Sequence, residues 1–472
     1  MPGGTLLESL KKLAEQEPEK RLLGGDARWY SAAEVLRTAE AAARVLSLLG
    51  LRPGEPALLA ADRSAETAIL LFALRAAGAL VVLHDPREES DHALAFCEAQ
   101  ISPRVCIRRS AAASFSVRID GRTETLTLGE DASVVDPVPG NPFAPAFVIF
   151  TSGSTGKSKA VVLCENNLIS NLLDSRPLGA YENNDIALGA LPLNHVFGLV
   201  LLAGTAVLGY AVFFPEKTGI PELLACIEKE KITRMNGVPS LYLAMAEQSG
   251  SCDLRSLRTG FIGGGPVTPE QFARMEHALG MTLIPVYGMS ECVGVSCASY
   301  LDPQAERAAG VGKIYPMNEV RILAPEGCEG EILVRGPMRM LGYYGHPLPQ
   351  DAFFPTGDLG YLDERGILHL SGRKKEIIIR NGNNLSPGRI EDTLLHMNSV
   401  RAAAVVGLPD EKQGEVPFAM IVGDVDERLL HALLSKNEWP AGILRVSALP
   451  LTASGKPDKQ KIREVLLQWR SS

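Results

Sequence analysis

The chain has 472 residues, 46% of them hydrophobic and 22% charged, so it can bury large cores and is too long for one ordinary domain. Its formal net charge of −8 and the lack of a long basic run argue against a general nucleic-acid binder, which needs an excess of Lys and Arg. The eight cysteines form no C-x-x-C pair, which favours reduced, mostly buried thiols in the cytoplasm over a zinc site.

Helical and strand patterns alternate in the first part of the chain. The N-terminus has charges where a signal peptide needs an apolar core, and its leucine spacing predicts a surface helix. Residues 32–49 predict a second helix that ends at Gly50, and Ser64 is placed to cap a third that runs to residue 77. Apolar runs at 57–61 and 80–83 predict strands, so this part reads as a parallel α/β unit.

Residues 110–142 are rich in Ser, Thr, Asp and Pro, which predicts an irregular connection. It leads to a buried strand that enters the stretch F-V-I-F-T-S-G-S-T-G-K-S-K at 147–159.

This stretch has the composition of a phosphate-binding loop. Its glycines let successive backbone N–H groups converge on one anion, its hydroxyls can donate further hydrogen bonds, and its lysines can neutralise charge. The residues concerned are Thr151, Ser152, Gly153, Ser154, Thr155, Gly156, Lys157 and Lys159. A Walker A loop needs four residues between its glycines, and here there are two, which makes a P-loop kinase or GTPase the weaker interpretation. A glycine-rich surface turn without a ligand is the other alternative.

The alternation of strands and helices resumes after the loop, with strands predicted at 187–191 and 260–262 and a helix near 222–230. The uncharged run at 199–214 is shorter than the roughly 20 residues that a membrane span requires. Gly204 and Gly209 also interrupt it, so we expect a buried helix followed by a strand and no membrane span.

From about residue 310 the pattern changes to short strands and turns. A strand is predicted at 330–337, and the alternation at 358–370 around residues 363–366 predicts a hairpin. A basic cluster follows at 373–375, and we place a domain boundary at Lys375.

Seven motifs then occur in an order that resembles one superfamily over nearly the whole chain: the adenylate-forming enzymes. These include acyl- and aryl-CoA synthetases, adenylation domains of peptide synthetases, and firefly luciferase. The motifs are T-S-G-S-T-G-K-S-K at 151–159, L-P-L-N-H-V-F-G-L at 191–199, G-G-G-P-V at 263–267, Y-G-M-S-E at 287–291, T-G-D-L-G at 356–360, G-R-K-K-E-I-I-I-R-N-G at 372–382 and L-P-L-T-A-S-G-K at 449–456.

The resemblance implies an α/β fold with two domains. The N-terminal domain, residues 1–374, would hold ATP and the acyl group in α/β subdomains with a small β-barrel-like part. The C-terminal domain, residues 375–472, would be small, mobile and α+β, and would carry a catalytic lysine.

The resemblance also implies a two-step reaction that uses ATP, Mg²⁺ and CoA or a phosphopantetheine. A small carboxylic acid attacks the α-phosphate of ATP and gives an acyl-adenylate, and a thiol then takes the acyl group and releases AMP. Both substrates of the first step are anions, so positioning and charge neutralisation must supply most of the catalysis.

Residue roles are carried over by motif position. Lys456 would meet the carboxylate and the α-phosphate, and Glu291 would coordinate Mg²⁺, a hard cation that prefers oxygen ligands. Lys375 would be the hinge between the two half-reactions.

Most of the remaining assignments concern ATP. Tyr287 would stack on adenine, Asp358 would accept from the ribose hydroxyls with Arg373 beside it, and Thr151 and Ser152 would be the main side-chain donors to phosphate. The other residues implied in ATP or AMP binding are Gly153, Ser154, Thr155, Gly156, Lys157, Gly264, Gly265, Gly288 and Ser290. The acyl pocket would be lined by His195, Val196, Val238, Gly263, Gly288, Met289 and Val293, which are mostly small or apolar and favour an uncharged fatty or aryl acid.

Several alternatives stay open. Outside their motifs, Asp358 and Glu291 read as surface carboxylates, Tyr287 as a core residue and His195 as a structural histidine. The family usually has threonine at 290, proline at 158 and glycine at 160, where this chain has Ser290, Ser158 and Ala160. The segment 423–439 is short for the family, which keeps an acyl carrier protein open as the acceptor in place of CoA. A different class, an ATP-binding module without ligase activity, is the last alternative.

Overall fold

The structure is a computed structural model that describes residues 4–86, 97–129, 140–151, 159–325, 327–397, 399–452 and 457–471. Its helices are α1 (Leu6–Gln16), α2 (Ala32–Leu48), α3 (Ala65–Ala76), α4 (Glu165–Ser175), α5 (Val196–Val207), α6 (Ile220–Glu230), α7 (Pro239–Gln248), α8 (Pro269–Leu279), α9 (Gln304–Ala309), α10 (Pro387–Leu395), α11 (Glu427–Leu433) and α12 (Lys459–Ser471).

The strands belong to four sheets. They are β1 (Arg21–Gly25), β2 (Trp29–Ser31), β3 (Pro56–Ala60), β4 (Leu80–His84), β5 (Val105–Ala111), β6 (Ser114–Ile119), β7 (Arg122–Thr127), β8 (Pro145–Thr151), β9 (Lys159–Cys164), β10 (Ile186–Leu188), β11 (Ala211–Phe214), β12 (Arg234–Gly237), β13 (Thr259–Ile262), β14 (Thr282–Met289), β15 (Cys292–Cys297), β16 (Lys313–Ile314), β17 (Glu319–Leu323), β18 (Gly330–Arg335), β19 (Gly342–Tyr343), β20 (His346–Pro347), β21 (Phe354–Leu362), β22 (Leu368–Arg373), β23 (Ile378–Arg380), β24 (Asn383–Leu385), β25 (Val400–Asp410), β26 (Gly414–Gly423) and β27 (Gly442–Arg445).

Two nine-stranded sheets form the large N-terminal part. The first has the order β16-β15-β14-β13-β12-β10-β11-β1-β2, and its strands from β14 to β1 run parallel. The second has the order β20-β19-β9-β8-β4-β3-β5-β6-β7, with a parallel centre of β8, β4, β3 and β5. Parallel strands need crossover connections, and helices supply them here.

The main hydrophobic core lies between these two sheets and includes residues of both and of the helices between them. Helix α3 shows this most clearly, because every residue in it except Arg75 is buried. A helix that is apolar on all sides belongs in such an interior. Its N-cap is Ser64, whose hydroxyl accepts from the N–H of Thr67, as the sequence predicts.

Two smaller sheets complete the chain. Strands β17, β18, β21 and β22 form an antiparallel sheet, which is the part expected to be barrel-like. Strands β23 to β27 form a five-stranded sheet with helices α10 and α12 packed against it. A large α/β part followed by a small α+β unit is the predicted fold class.

Most predicted elements are confirmed within a few residues. The run at 199–214 falls in helix α5 and strand β11, and the hairpin at 358–370 is the β21–β22 pair. The described residues contain no helix that is both long and apolar enough to cross a membrane. All eight cysteines are free and five of them are buried.

The prediction of an irregular connection at 110–142 is wrong in its first half. Strands β5, β6 and β7 form an antiparallel meander there, at the edge of the second sheet. Most of β7 is exposed, and an edge strand with polar side chains lacks the apolar alternation that predicts a strand.

A buried ion pair joins helix α3 to helix α4. Arg75 Nε lies 2.7 Å from Glu165 Oε1, and the two side chains are 7% and 2% exposed. The other carboxylate oxygen of Glu165 accepts from the N–H of Leu6 at 2.7 Å, which attaches the start of α1 to the same point. Three helices therefore depend on one carboxylate.

Candidate active site

Four predicted site segments meet at one edge of the first sheet. Strands β10, β12, β13 and β14 are parallel, with Gly237 paired to Ile262 and Ile262 to Pro285. The carboxyl ends of parallel strands share an edge, and ligands of open α/β sheets bind there. The edge carries His195 and Val238, which are the N-caps of α5 and α7, and Gly263 and Tyr287.

Gly263 is required by a close approach between strands. A Cβ at this position would lie 2.8 Å from the carbonyl oxygen of Val286 and 2.9 Å from its Cγ2. Gly264 and Gly265, which follow it, are exposed. The motif therefore presents bare backbone at the sheet edge, where it is expected to contact the adenine.

Tyr287, Asp358 and Arg373 form one connected group. The hydroxyl of Tyr287 donates to Asp358 Oδ2 at 2.7 Å, and Arg373 Nε lies 2.9 Å from Asp358 Oδ1. Asp358 and Arg373 are also directly paired across the β21–β22 ladder. Burial, and then the carboxylate of Asp358, raise the pKa of the Tyr287 phenol, so the hydroxyl remains a donor.

This arrangement fixes the carboxylate of Asp358 from both sides. Asp358 is 6% exposed, yet each of its oxygens has a second lone pair that can accept from a ribose hydroxyl. Tyr287 is also 6% exposed and packs in a hydrophobic cluster with Cys292 and Leu368. Its hydroxyl therefore orients Asp358, and stacking of its ring on adenine stays a prediction.

We expect Asp358→Ala to raise the KM for ATP about 10- to 100-fold, because a charged hydrogen-bond acceptor worth ~1.5–3 kcal/mol is lost. Initial rates at varied ATP measure the effect. Glu364→Ala is the control, since Glu364 is exposed in the turn of the same hairpin. An unchanged KM in Asp358→Ala would remove this residue from the nucleotide site.

Glu291 lies in the tight turn between β14 and β15. It is 9% exposed, and its carbonyl oxygen accepts from the N–H of Met340 at 2.8 Å. Its Oε1 accepts from the hydroxyl of Tyr343 at 3.0 Å, which leaves Oε2 for another ligand. Mg²⁺ typically uses one or two protein carboxylates together with substrate phosphates and water, so a single oriented glutamate fits that ion.

Tyr343 contacts the predicted magnesium ligand Glu291, and no motif in the sequence singles this tyrosine out. Burial, and then Glu291, raise the pKa of its phenol. The available signal was G-Y-Y at 342–344 shortly after a predicted strand, but nothing local indicates that residue 343 meets residue 291.

The phosphate loop is described only at its ends. Thr151 and Lys159 are paired as the last residue of β8 and the first of β9, so residues 152–158 connect two antiparallel strands. The residues from Ser152 to Lys157 lie outside the described residues, as does Ser158. Ala160, where the family usually has glycine, is buried in β9.

Lys456 also lies outside the described residues, but the chain on either side of it is positioned. Leu451 and Pro457 form an antiparallel bridge, and α12 begins at Lys459. The predicted hinge residue Lys375 is exposed in a short 3-10 turn, Lys374–Glu376, directly after β22. The domain boundary at this residue stays a prediction.

The predicted acyl-pocket residues differ in exposure. His195, Val196, Val238 and Met289 are half-buried, as is the nearby Ser290, and Gly288 is exposed. Val293 is 8% exposed and packs in the main core, and its place in the acyl pocket stays a prediction.

Comparison with known proteins identifies the family of the chain. The model of the AMP-binding enzyme family matches residues 10–344, and that of its C-terminal domain matches residues 389–456. Feruloyl-CoA synthase of Amycolatopsis sp is 32% identical, with 93% of this chain and 94% of the relative covered. Indoleacetate–CoA ligase of Aromatoleum aromaticum is 34% identical, with 72% of this chain and 71% of the relative covered.

A solved structure is similar over almost the whole length. The o-succinylbenzoate CoA synthetase of Bacillus subtilis, in complex with its acyl-adenylate intermediate, has a TM-score of 0.84 and 25% identity. The similarity covers 98% of this chain and 99% of that one. The chain therefore belongs to the AMP-binding enzymes and is an AMP-forming acid–thiol ligase that uses ATP and Mg²⁺.

Proposed function

We propose that this ligase activates an acid with an uncharged, aromatic body, of the arylacetate or cinnamate class. The observation that carries the proposal is the composition of the sheet edge: Val196, Val238 and Met289 are half-buried apolar side chains, Gly263 has no side chain, and none of the four carries a formal charge. A charged acyl body would lose its hydration there without gaining a partner. The names of two relatives support such an acid, since ferulate and indoleacetate each contain a ring and a single carboxylate.

In the first half-reaction, an oxygen of the acid attacks the α-phosphorus of ATP and pyrophosphate leaves. We assign charge stabilisation to Lys456 and magnesium coordination to Glu291. Thr151, Ser152 and the loop through Lys157 would hold the β- and γ-phosphates, and Asp358 with Arg373 would hold the ribose. The side chain of His195 would border the acyl group.

In the second half-reaction, the thiol sulfur of CoA attacks the acyl carbon and AMP leaves. Rotation of residues 375–472 about Lys375 would exchange the two arrangements. The alternative acceptor, a carrier-protein phosphopantetheine, rests on the short segment at 423–439, where the chain has only helix α11 before strand β27. We also expect the enzyme to act in the cytoplasm.

The test is pyrophosphate release with ATP, Mg²⁺ and a panel of acids, followed by thioester formation. The panel contains ferulate, indole-3-acetate, benzoate, a series of straight-chain fatty acids, malonate and 2-succinylbenzoate, and the acceptors are CoA and a holo carrier protein. We expect kcat/KM to be greatest for a monocarboxylic aromatic acid and thioester to form with CoA. A preference for fatty acids, or for a second carboxylate, would overturn the substrate class, and thioester formed only on the carrier protein would favour the alternative acceptor.

A further inference from the structure

Tyr343 is held in place by a dense set of backbone contacts. Strand β19 pairs antiparallel with β9, so that Gly342 faces Val162 and Tyr343 faces Val161. A Cβ at Gly342 would lie 2.4 Å from the carbonyl oxygen of His346, so only glycine permits this approach. Tyr343 is therefore fixed to the strand that leaves the phosphate loop.

The side chain of Tyr343 makes two contacts of different kinds. Its hydroxyl donates to Glu291 Oε1 at 3.0 Å. The ammonium of Lys159 lies 4.7 Å from the centre of its ring, within the range of a cation–π contact. Lys159 is the residue at which the chain leaves the phosphate loop, so one tyrosine contacts both the metal carboxylate and the end of that loop.

A phenol is well suited to orient a metal ligand. A hydrogen bond to one oxygen of a carboxylate fixes its rotamer and leaves the second oxygen directed elsewhere. A lysine or arginine in the same place would neutralise the carboxylate and compete with Mg²⁺, whereas a neutral hydroxyl leaves its full charge available.

We propose that Tyr343 is a positioning residue that orients Glu291 for Mg²⁺ and couples it to the exit of the phosphate loop. The inference rests on the proposed role of Glu291 as the magnesium ligand. It assigns the hydroxyl of Tyr343 to magnesium affinity and its ring to the placement of Lys159. Loss of the hydroxyl alone should weaken magnesium binding while the ring contact and the packing remain.

The test is calorimetric titration of ATP into the enzyme, without acid substrate, at a series of free Mg²⁺ concentrations. In Tyr343→Phe, we expect the Mg²⁺ concentration for half-maximal tightening of ATP binding to rise about 10- to 100-fold, the usual effect of removing a partner of a metal ligand. With saturating Mg²⁺, kcat should remain within about 3-fold of the parent, because Glu291 itself is present.

Tyr344→Phe is the matched control. Tyr344 is the next residue and is also half-buried, but its side chain packs against the cluster on the opposite face of the second sheet. Its substitution should leave the Mg²⁺ dependence unchanged. Equal shifts in Tyr343→Phe and Tyr344→Phe would indicate a general disturbance of β19 and would overturn the inference.

Glu291→Gln separates the inference from the assignment on which it depends. If the Mg²⁺ concentration for half-maximal tightening of ATP binding rises more in Glu291→Gln than in Tyr343→Phe, the result supports both the role of Tyr343 and the magnesium assignment of Glu291. A shift in Glu291→Gln with none in Tyr343→Phe overturns the role of Tyr343, and no shift in Glu291→Gln overturns the magnesium assignment itself.

Discussion

Lys456→Ala is expected to lose about 10²–10³-fold in acyl-adenylate formation, the usual cost of removing a group that stabilises developing negative charge. The segment that carries Lys456 is closed by the Leu451–Pro457 bridge. It is followed by Lys459, whose ammonium bonds to Glu391 and lies 2.9 Å from the carbonyl oxygen of Val405. The backbone on its C-terminal side is thus fixed without the Lys456 side chain, so the variant should fold normally.

The second half-reaction is the internal control for this variant. When acyl-adenylate and CoA are supplied, Lys456→Ala should form thioester at nearly the parent rate, because Lys456 is assigned only to the first step. Lys375→Pro should show the opposite pattern, since proline fixes φ near −65° and removes an N–H where rotation needs freedom. Pyrophosphate release and thioester formation measure the two steps separately, and equal losses in both assays for both variants would contradict the alternation of the small domain.

The second large effect is expected for stability. Arg75→Met should lower the free energy of unfolding by ~3–5 kcal/mol, because it leaves the carboxylate of Glu165 buried without its cation. The same carboxylate accepts from Leu6, so we expect helix α1 to detach early in the transition. Urea unfolding followed by circular dichroism measures the loss, and hydrogen exchange locates it.

Two further variants make this result specific. Arg445→Met removes one partner of an exposed pair with Asp424, whose side chains are 49% and 77% exposed, and should cost less than ~1 kcal/mol. Adding Glu165→Gln to Arg75→Met should recover part of the loss, because the amide still accepts from Leu6 and the buried charge is gone. A cost for Arg75→Met as small as that for Arg445→Met would show that the buried pair contributes little.

The fold was predictable from the sequence where local signals and burial coincide. Ser64 caps α3 as predicted, and the turn at 363–366 joins β21 to β22, because capping and hairpin turns are encoded over a few residues. Strand β7 was missed because exposed edge strands lack the apolar alternation that identifies a strand.

The site was predictable to the extent that motifs carry its chemistry. Asp358 and Glu291 were singled out because each stands in a recognisable motif, as do Tyr287 and Arg373, which bond to Asp358, but Tyr343, which bonds to Glu291, was not. Tyr343 is 52 residues from Glu291 in the chain, and Glu165 is 90 residues from Arg75. Such pairings follow from strand order and helix packing, which local patterns do not specify.

The pairing of Asp358 with Arg373 also limits how the C-terminal sheet can move. Arg373 is the last residue of β22, and β23 begins at Ile378, so only residues 374–377 separate two hydrogen-bonded ladders. Each residue whose backbone becomes free to rotate gains ~1–2 kcal/mol of conformational free energy, and residues 374–377 are few. Such a short connection restricts the small domain to few orientations. If Lys456 has the role proposed for it, the same connection would also keep its segment at a high effective concentration near the nucleotide, because each approach would be an intramolecular event.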